Sequence, residues 1–239
     1  MGVSQLKSVA HSRDPVAGGF YTVREAGRLL NIPHVRRIAG WLKGYPGRAV
    51  KPLISREYEP IAGIVELSFW DLLEVRFIEH FRRQGVSAKA LRIAAQNARE
   101  VVHHKHPFAT SNVTFMTDRR DIFLVAAEEA DDRSLLNLVT KQYEIYVVIE
   151  NILARGITFS PSDGLAERWK PDPLKYSAIV VDPLRAYGQP VLEESGVPTS
   201  AIFETWKAEN ANLKAAAEWY EVDESLARQA IEFELGLPN

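Results

Sequence analysis

Residues 21–45 read YTVREAGRLLNIPHVRRIAGWLKGY, and the spacing inside this stretch decides the N-terminal fold. Thr22 stands three residues before Glu25, the T-x-x-E arrangement in which side chain and backbone cap one another at a helix start. Ala26, Leu29 and Leu30 supply an apolar stripe for that first helix. Asn31-Ile32-Pro33 then breaks it, and Val35, Ile38 and Leu42 recur at i, i+3 and i+7 to predict a second helix. With those three residues inward, Arg36, Arg37 and Gly40 are expected on the opposite side. Two short helices around a tight turn, the second bearing adjacent arginines, have the form of a helix-turn-helix. In such a unit the second helix enters the major groove, where arginine pairs with guanine edges or phosphates.

Working outward, residues 43–67 change character. Glycines and prolines separate short β-prone pieces, LIS and IVEL, and predict a hairpin or wing. Lys43, Arg48, Lys51 and Arg56 extend the positive surface through it. Ser68 and Asp71 repeat the capping pattern ahead of a long helix with Trp70, Leu73, Phe77, Ile78 and Phe81 on its buried stripe, ended by Gly85. Ser87 caps a further helix running to about Val102. Residues 113–128, VTFMTDRRDIFLVAAE, read as two strands around a polar turn, and 135–153 as a buried helix.

The chain has 239 residues with a net charge of −2, but the charge is unevenly placed. Residues 1–120 hold 19 Lys/Arg against 10 Asp/Glu, a net of +9, and residues 121–239 hold 10 against 21, a net of −11. The basic half is the one suited to a polyanion. Cysteine is absent, which excludes disulfide frameworks, Cys-ligated zinc and thiol catalysis. No apolar run approaches a membrane span and the N-terminus lacks a signal-peptide block, so a soluble cytoplasmic protein is expected.

Residues 21–92 resemble the winged helix-turn-helix of MerR-type regulators. The likeness lies in TVREAGRLLNIP, the Arg37 region, the wing, and LSFWDLLEVRFIEHFRRQGVSAKALR. The wing departs from that family's pattern, having SREYEP where a Tyr-Arg-x-Tyr segment is usual, and the family's long dimerisation helix with a sensor end is missing. Residues 179–234 resemble a small trihelical domain of bacterial antitoxins. The motifs are a strand, a Gly-x-Pro turn, the GVPT helix start at 196–199, then L-x-x-x-A-x-x-Y and a closing alanine-rich helix. Together they look like a VapB-type antitoxin with an added DNA-binding domain.

The fold expected is mainly α (α+β): a winged helix-turn-helix with an α/β extension, plus a small C-terminal three-helix domain. A flexible tail covers 1–19, the MerR-like unit 20–105, an extension of unassigned role 106–158, a proline-rich linker 159–177 and the trihelical domain 178–239. The resemblance implies an antitoxin that neutralises a co-encoded PIN-like ribonuclease and represses its own promoter as a homodimer. Nucleic-acid contacts are expected from Arg36, Arg37, Lys43, Arg48, Lys51 and Arg56. The acidic C-terminal helices suit a protein partner better than DNA. The toxin contacts are unassigned, although Arg168, Arg185 and Arg228 could be inserted into a carboxylate-lined nuclease site.

The alternative is a stand-alone MerR-like regulator sensing a small molecule through residues 95–178, and a third class is an enzyme or metal-dependent hydrolase. Neither a Walker motif nor G-x-S-x-G nor H-E-x-x-H is present, so no catalytic residue, metal or cofactor is expected. His103, His104 and His106 match no established metal spacing and read as a polar helix end.

Overall fold

The computed structural model describes residues 18–60, 63–111, 113–140 and 155–238. The expected tail falls almost wholly outside them. Among the described residues are nine α-helices and six short strands in two antiparallel sheets, a mixed α/β fold.

Helix α1 (Val23–Leu29) starts on the expected capping box, with Thr22 and Glu25 each accepting from the other's backbone N–H. Its turn to α2 (Arg36–Lys43) is set by Asn31 in the left-handed region, a conformation asparagine tolerates better than most residues. Ile32 donates its N–H to Gly27 at 2.8 Å and is buried. On α2, Ile38 and Leu42 are fully buried as expected, but the third core residue is Trp41, and Val35 is only half-buried. Gly40 is not on the outer face. It is buried under Tyr45, whose hydroxyl lies 2.0 Å from where a Cβ would stand.

The expected wing hairpin does not form among the described residues. Tyr45 and Val50 make an isolated bridge around the turn at Pro46–Arg48, and residues 51–60 contain no strand. Only Glu66–Leu67 of the IVEL piece is a strand (β2), and it pairs back with β1 (Tyr21–Thr22). The reason is that the loop's polar groups find partners elsewhere. Leu53 and Ile54 donate to Trp41 O, and Arg92, Arg99 and Lys105 donate to the carbonyls of Lys51, Leu53 and Glu57. These bonds take up part of the loop's backbone polarity that a cross-strand ladder would otherwise satisfy.

Helix α3 (Phe69–Arg83), capped by Ser68 and Asp71, is the central element and is buried on nearly all sides. Phe77 stacks on Phe108 at 4.1 Å, and Phe81 stacks on Phe123 at 5.4 Å. Helix α4 (Ala88–Val102) runs from its Ser87 cap to the expected end. Residues 113–128 are not strands. They lie in α5 (Val113–Ala130), whose Ile122, Phe123, Ala126 and Ala127 are buried at helical spacing. The polar DRRD run that suggested a turn continues that helix. Helix α6 (Arg133–Thr140) follows, and the rest of the helix expected over 135–153 lies outside the described residues.

The segment 159–177 is not a linker. It holds β4 (Ala166–Trp169), the second strand of a sheet with sequential order β3 (Ile157–Phe159), β4, β5 (Ile179–Val181), β6 (Pro190–Leu192). This sheet bridges two cores. Ala166, Trp169 and Val181 belong to the large core around α3, while Tyr176, Ile179 and Leu192 belong to a smaller one. Composition had concealed these anchors, because prolines and polar residues surround each short apolar piece. The smaller core is completed by α7 (Thr199–Ala208), α8 (Leu213–Trp219), capped by Asn212, and α9 (Glu224–Gly236). These are the three C-terminal helices expected from the sequence. Helix α9 reaches α1 directly, where Arg28 meets buried Glu234 at 2.8 Å, and beside it Tyr21 Oη of β1 donates to Gly188 O, between β5 and β6, at 2.7 Å.

Candidate nucleic-acid interface

Helix α2 presents its cations unequally. Arg36 and Lys43 are exposed, and Lys43 Nζ reaches Gly63 O at 3.2 Å, which ties the helix end to the segment before β2. Arg37 is half-buried. Its guanidinium meets Glu79 Oε2 at 3.1 Å and lies over the Trp41 ring at 5.4 Å. Glu79, on α3, is almost fully buried and also accepts from Arg83 at 2.9 Å. The adjacent arginines therefore differ in situation: Arg37 ties α2 to α3, and Arg36 faces solvent.

The remaining expected contacts follow the loop. Arg48 and Lys51 are exposed, and Arg56 is half-buried with Nη1 enclosed and without a hydrogen bond among the described residues. Of the six cations, Arg36 and Lys43 line a cleft formed by the start of α1, the outer side of α2 and residues 63–65. Arg24, exposed on the first turn of α1, adds a third cation to it. Sequence reading passed over Arg24, although its position off the Ala26/Leu29/Leu30 stripe was a signal that it faces outward.

Behind the loop lies a buried charge cluster that the histidine spacing did not announce. His103 ends α4 in the left-handed region and is exposed, as a polar helix end should be. His106, in contrast, is buried. Its Nε2 lies 2.9 Å from Glu57 Oε2, and its Nδ1 lies 3.5 Å from Glu74 and 3.7 Å from Asp71. Burial opposes charging the ring, but the hydrogen bond to Glu57 and the nearby carboxylates of Glu74 and Asp71 outweigh it and raise its pKa to about 9. His106 is accordingly an imidazolium at neutral pH. Glu57 is held down to about 2, chiefly by its bond to His106 and, against the cost of burial, by Lys105. Asp71 is pushed up by burial despite the imidazolium beside it, and two of its bonds come from the backbone N–H groups of Ser68 and Glu57. Among the described residues no group of three His, Asp or Glu has the arrangement of a metal site. This cluster fixes the base of the 51–58 loop to α3.

In the C-terminal part, Arg168 pairs with buried Asp182 at 3.2 Å, Arg185 donates to Glu193 O at 2.7 Å, and Arg228 is exposed. Leu184, Tyr187, Trp219 and Leu235 leave large apolar side chains at the surface. No described helix is long and apolar enough to cross a membrane.

Comparison with known proteins gives a consistent likeness over nearly the whole chain. No family model matches. Over 227 residues the chain is 27% identical to a protein of Mycobacterium tuberculosis (strain H37Rv) described as "Putative antitoxin VapB45", spanning 89% of this chain and 92% of that one. The crystal structure of Rv2018 from Mycobacterium tuberculosis shares the fold at a TM-score of 0.67 and 27% identity, covering 92% of this chain and 98% of that one.

Proposed function

We propose that this chain is an antitoxin: it binds and neutralises a PIN-like ribonuclease toxin and, as a homodimer, represses its own promoter. The observation that carries this reading is the near full-length likeness to the antitoxin-named mycobacterial protein. An end-to-end match argues for a shared role of the whole chain rather than a borrowed module. Residues 20–105 act as the winged helix-turn-helix, with α2 as the recognition helix and the loop at 46–60 in place of a hairpin wing. The net charge of +9 over residues 1–120 supports that division, because neutralising phosphates requires a cationic face. The C-terminal helices take the toxin. Their acidic surface disfavours DNA, and the exposed Trp219 and Leu235 offer apolar anchors of the kind that protein interfaces use.

The decisive experiment is co-expression with the nuclease encoded beside it, followed by pull-down and a ribonuclease assay. A stable complex with suppressed cleavage is expected; failure to retain or inhibit the nuclease sinks the antitoxin reading. For DNA, Arg36→Ala should weaken binding to the upstream promoter about tenfold and flatten its salt dependence by roughly one phosphate contact. Arg37→Ala should weaken binding through a displaced helix, and so should also lower stability by about 1–2 kcal/mol. Promoter binding measured across salt, alongside urea denaturation of each variant, separates the two effects.

A further inference from the structure

The cleft beside α2 has two chemical layers. Its floor is aliphatic, built from Val35 at the N-cap of α2, Ala39 of α2, Val23 of α1 and Ile64 before β2. Its rim is Arg24, Arg36 and Lys43, and among the described residues no carboxylate lines it. Glu25, the acid nearest on α1, is turned into the capping box with Thr22. Ile64 is 60% exposed in the middle of this cationic setting. Single exposed aliphatic residues are ordinary on protein surfaces, but a contiguous aliphatic floor inside a ring of cations marks a partner that is both anionic and locally apolar. Duplex DNA is such a partner. Its phosphates match the rim, and in the major groove the apolar group it displays is the C5-methyl of thymine.

We propose that this cleft reads thymine: with α2 in the major groove, Val35, Ala39 and Ile64 close on one or two thymine methyls while Arg24, Arg36 and Lys43 hold the flanking phosphates. The proposal rests on the DNA-binding reading above and adds the base that is read. It makes Ala39 and Ile64 specificity residues and Arg24 a phosphate contact. A small side chain at 39 suits the role, because a methyl must approach the helix closely.

The test uses the full chain and a duplex that it selects from a random library, resynthesised with deoxyuridine replacing each thymine in turn. Deoxyuridine keeps every hydrogen bond of thymine and removes only the methyl. Affinity should fall about fourfold at one or two positions, the effect of one lost apolar methyl contact. Ile64→Ser and Ala39→Ser, with unchanged urea midpoints, should bind the thymine and uracil duplexes alike and keep the native salt dependence. Arg36→Ala should weaken both duplexes and preserve their ratio. Tight binding that no deoxyuridine disturbs overturns the thymine reading and leaves DNA binding standing. Methyl sensitivity that survives both serine variants places the reader outside the cleft and overturns the proposal too. No enriched duplex and no binding at low salt overturns DNA binding together with it.

Discussion

His106 shows how much one side chain holds in place. It is the buried cation among Glu57, Asp71 and Glu74, and through Glu57 it anchors the loop that follows α2. Its folded pKa of about 9 stands above the ordinary 6.5. The stability it contributes is therefore complete below about 6.5 and is lost as pH rises through about 9. Glu57, held to about 2, works in the opposite direction, and its contribution fades as acid takes the pH toward that value. Urea midpoints measured from pH 6 to 10 should fall toward the alkaline end in the native protein. In His106→Gln that alkaline decline should disappear, and stability at pH 7 should be about 3 kcal/mol lower, since buried carboxylates lose their cation. An unchanged alkaline decline in the variant would assign the titration to another group. The contrast with His103, exposed only three residues earlier, comes from the chain turning inward at the short helical turn Pro107–Ala109.

At the scale of elements, the α1–α2 pair depends on close approach. A Cβ on Gly27 would stand 2.4 Å from Val35 Cγ1 and 3.2 Å from Ile32 O, so the two helices meet with no room for a methyl. Gly27→Ala should cost about 1–3 kcal/mol through overpacking, even though alanine favours the helix itself. It should also displace Val35, and so weaken the proposed DNA binding more than the stability loss alone would. Thermal melts and promoter titration of this variant check both effects, and a variant at least as stable as the native protein would refute the packing argument. At the other end of α2, Gly44 adopts φ of 69° with Val50 O only 2.3 Å from a Cβ position, which leaves glycine the residue that can turn the chain there. Helix α2 is thus packed at its start against Gly27 of α1 and closed at its end by Gly44, two glycines acting for different reasons. The loop beyond it replaces a hairpin's ladder with donors from α4, which explains how a segment without strands keeps a defined course.

Across the whole molecule, the four-stranded sheet and the α1–α9 contacts join the two cores. Strand β5 contributes Val181 to one core and Ile179 to the other, and Leu29 of α1 packs against both. Glu234 is 4% exposed, accepts from Arg28 and from Thr199, and lies in the junction. Unfolding should consequently be a single transition seen alike by tryptophan fluorescence and far-ultraviolet circular dichroism. Glu234→Ala should lower stability by about 2–3 kcal/mol, because Arg28 loses its buried carboxylate and Thr199 keeps only its longer bond to Pro190 O. Two resolved transitions in the native protein would show that the cores are energetically separate. For the proposed function this junction matters, since it places the helix that precedes α2 directly against the unit proposed to take the toxin.

What the amino-acid order determined alone were the features governed by local physics. The capping boxes at Thr22 and Ser68, the Asn31 turn, the start of α4 at Ser87 and the asparagine cap of α8 each depend on side chains within three residues of the backbone they satisfy. The exposure of Arg36 was legible from helical spacing, although the same spacing set Gly40, which is buried, on that face too. What the tertiary structure decided were features whose partners are remote in sequence. Arg37 is held by Glu79, 42 positions away, and His106 by Glu57, 49 positions away. Residues 43–67 have the composition of a hairpin, yet the loop within them is held by Trp41 of α2, Asp71 of α3, Arg92 and Arg99 of α4, and Lys105. The run at 113–128 looked β-prone, but packing against α3 and α4 rewards a helix there. The stretch at 159–177 carries a linker's composition and a strand's burial. Local propensity is worth tenths of a kilocalorie per residue, and long-range burial outweighs it wherever a few buried side chains find a core.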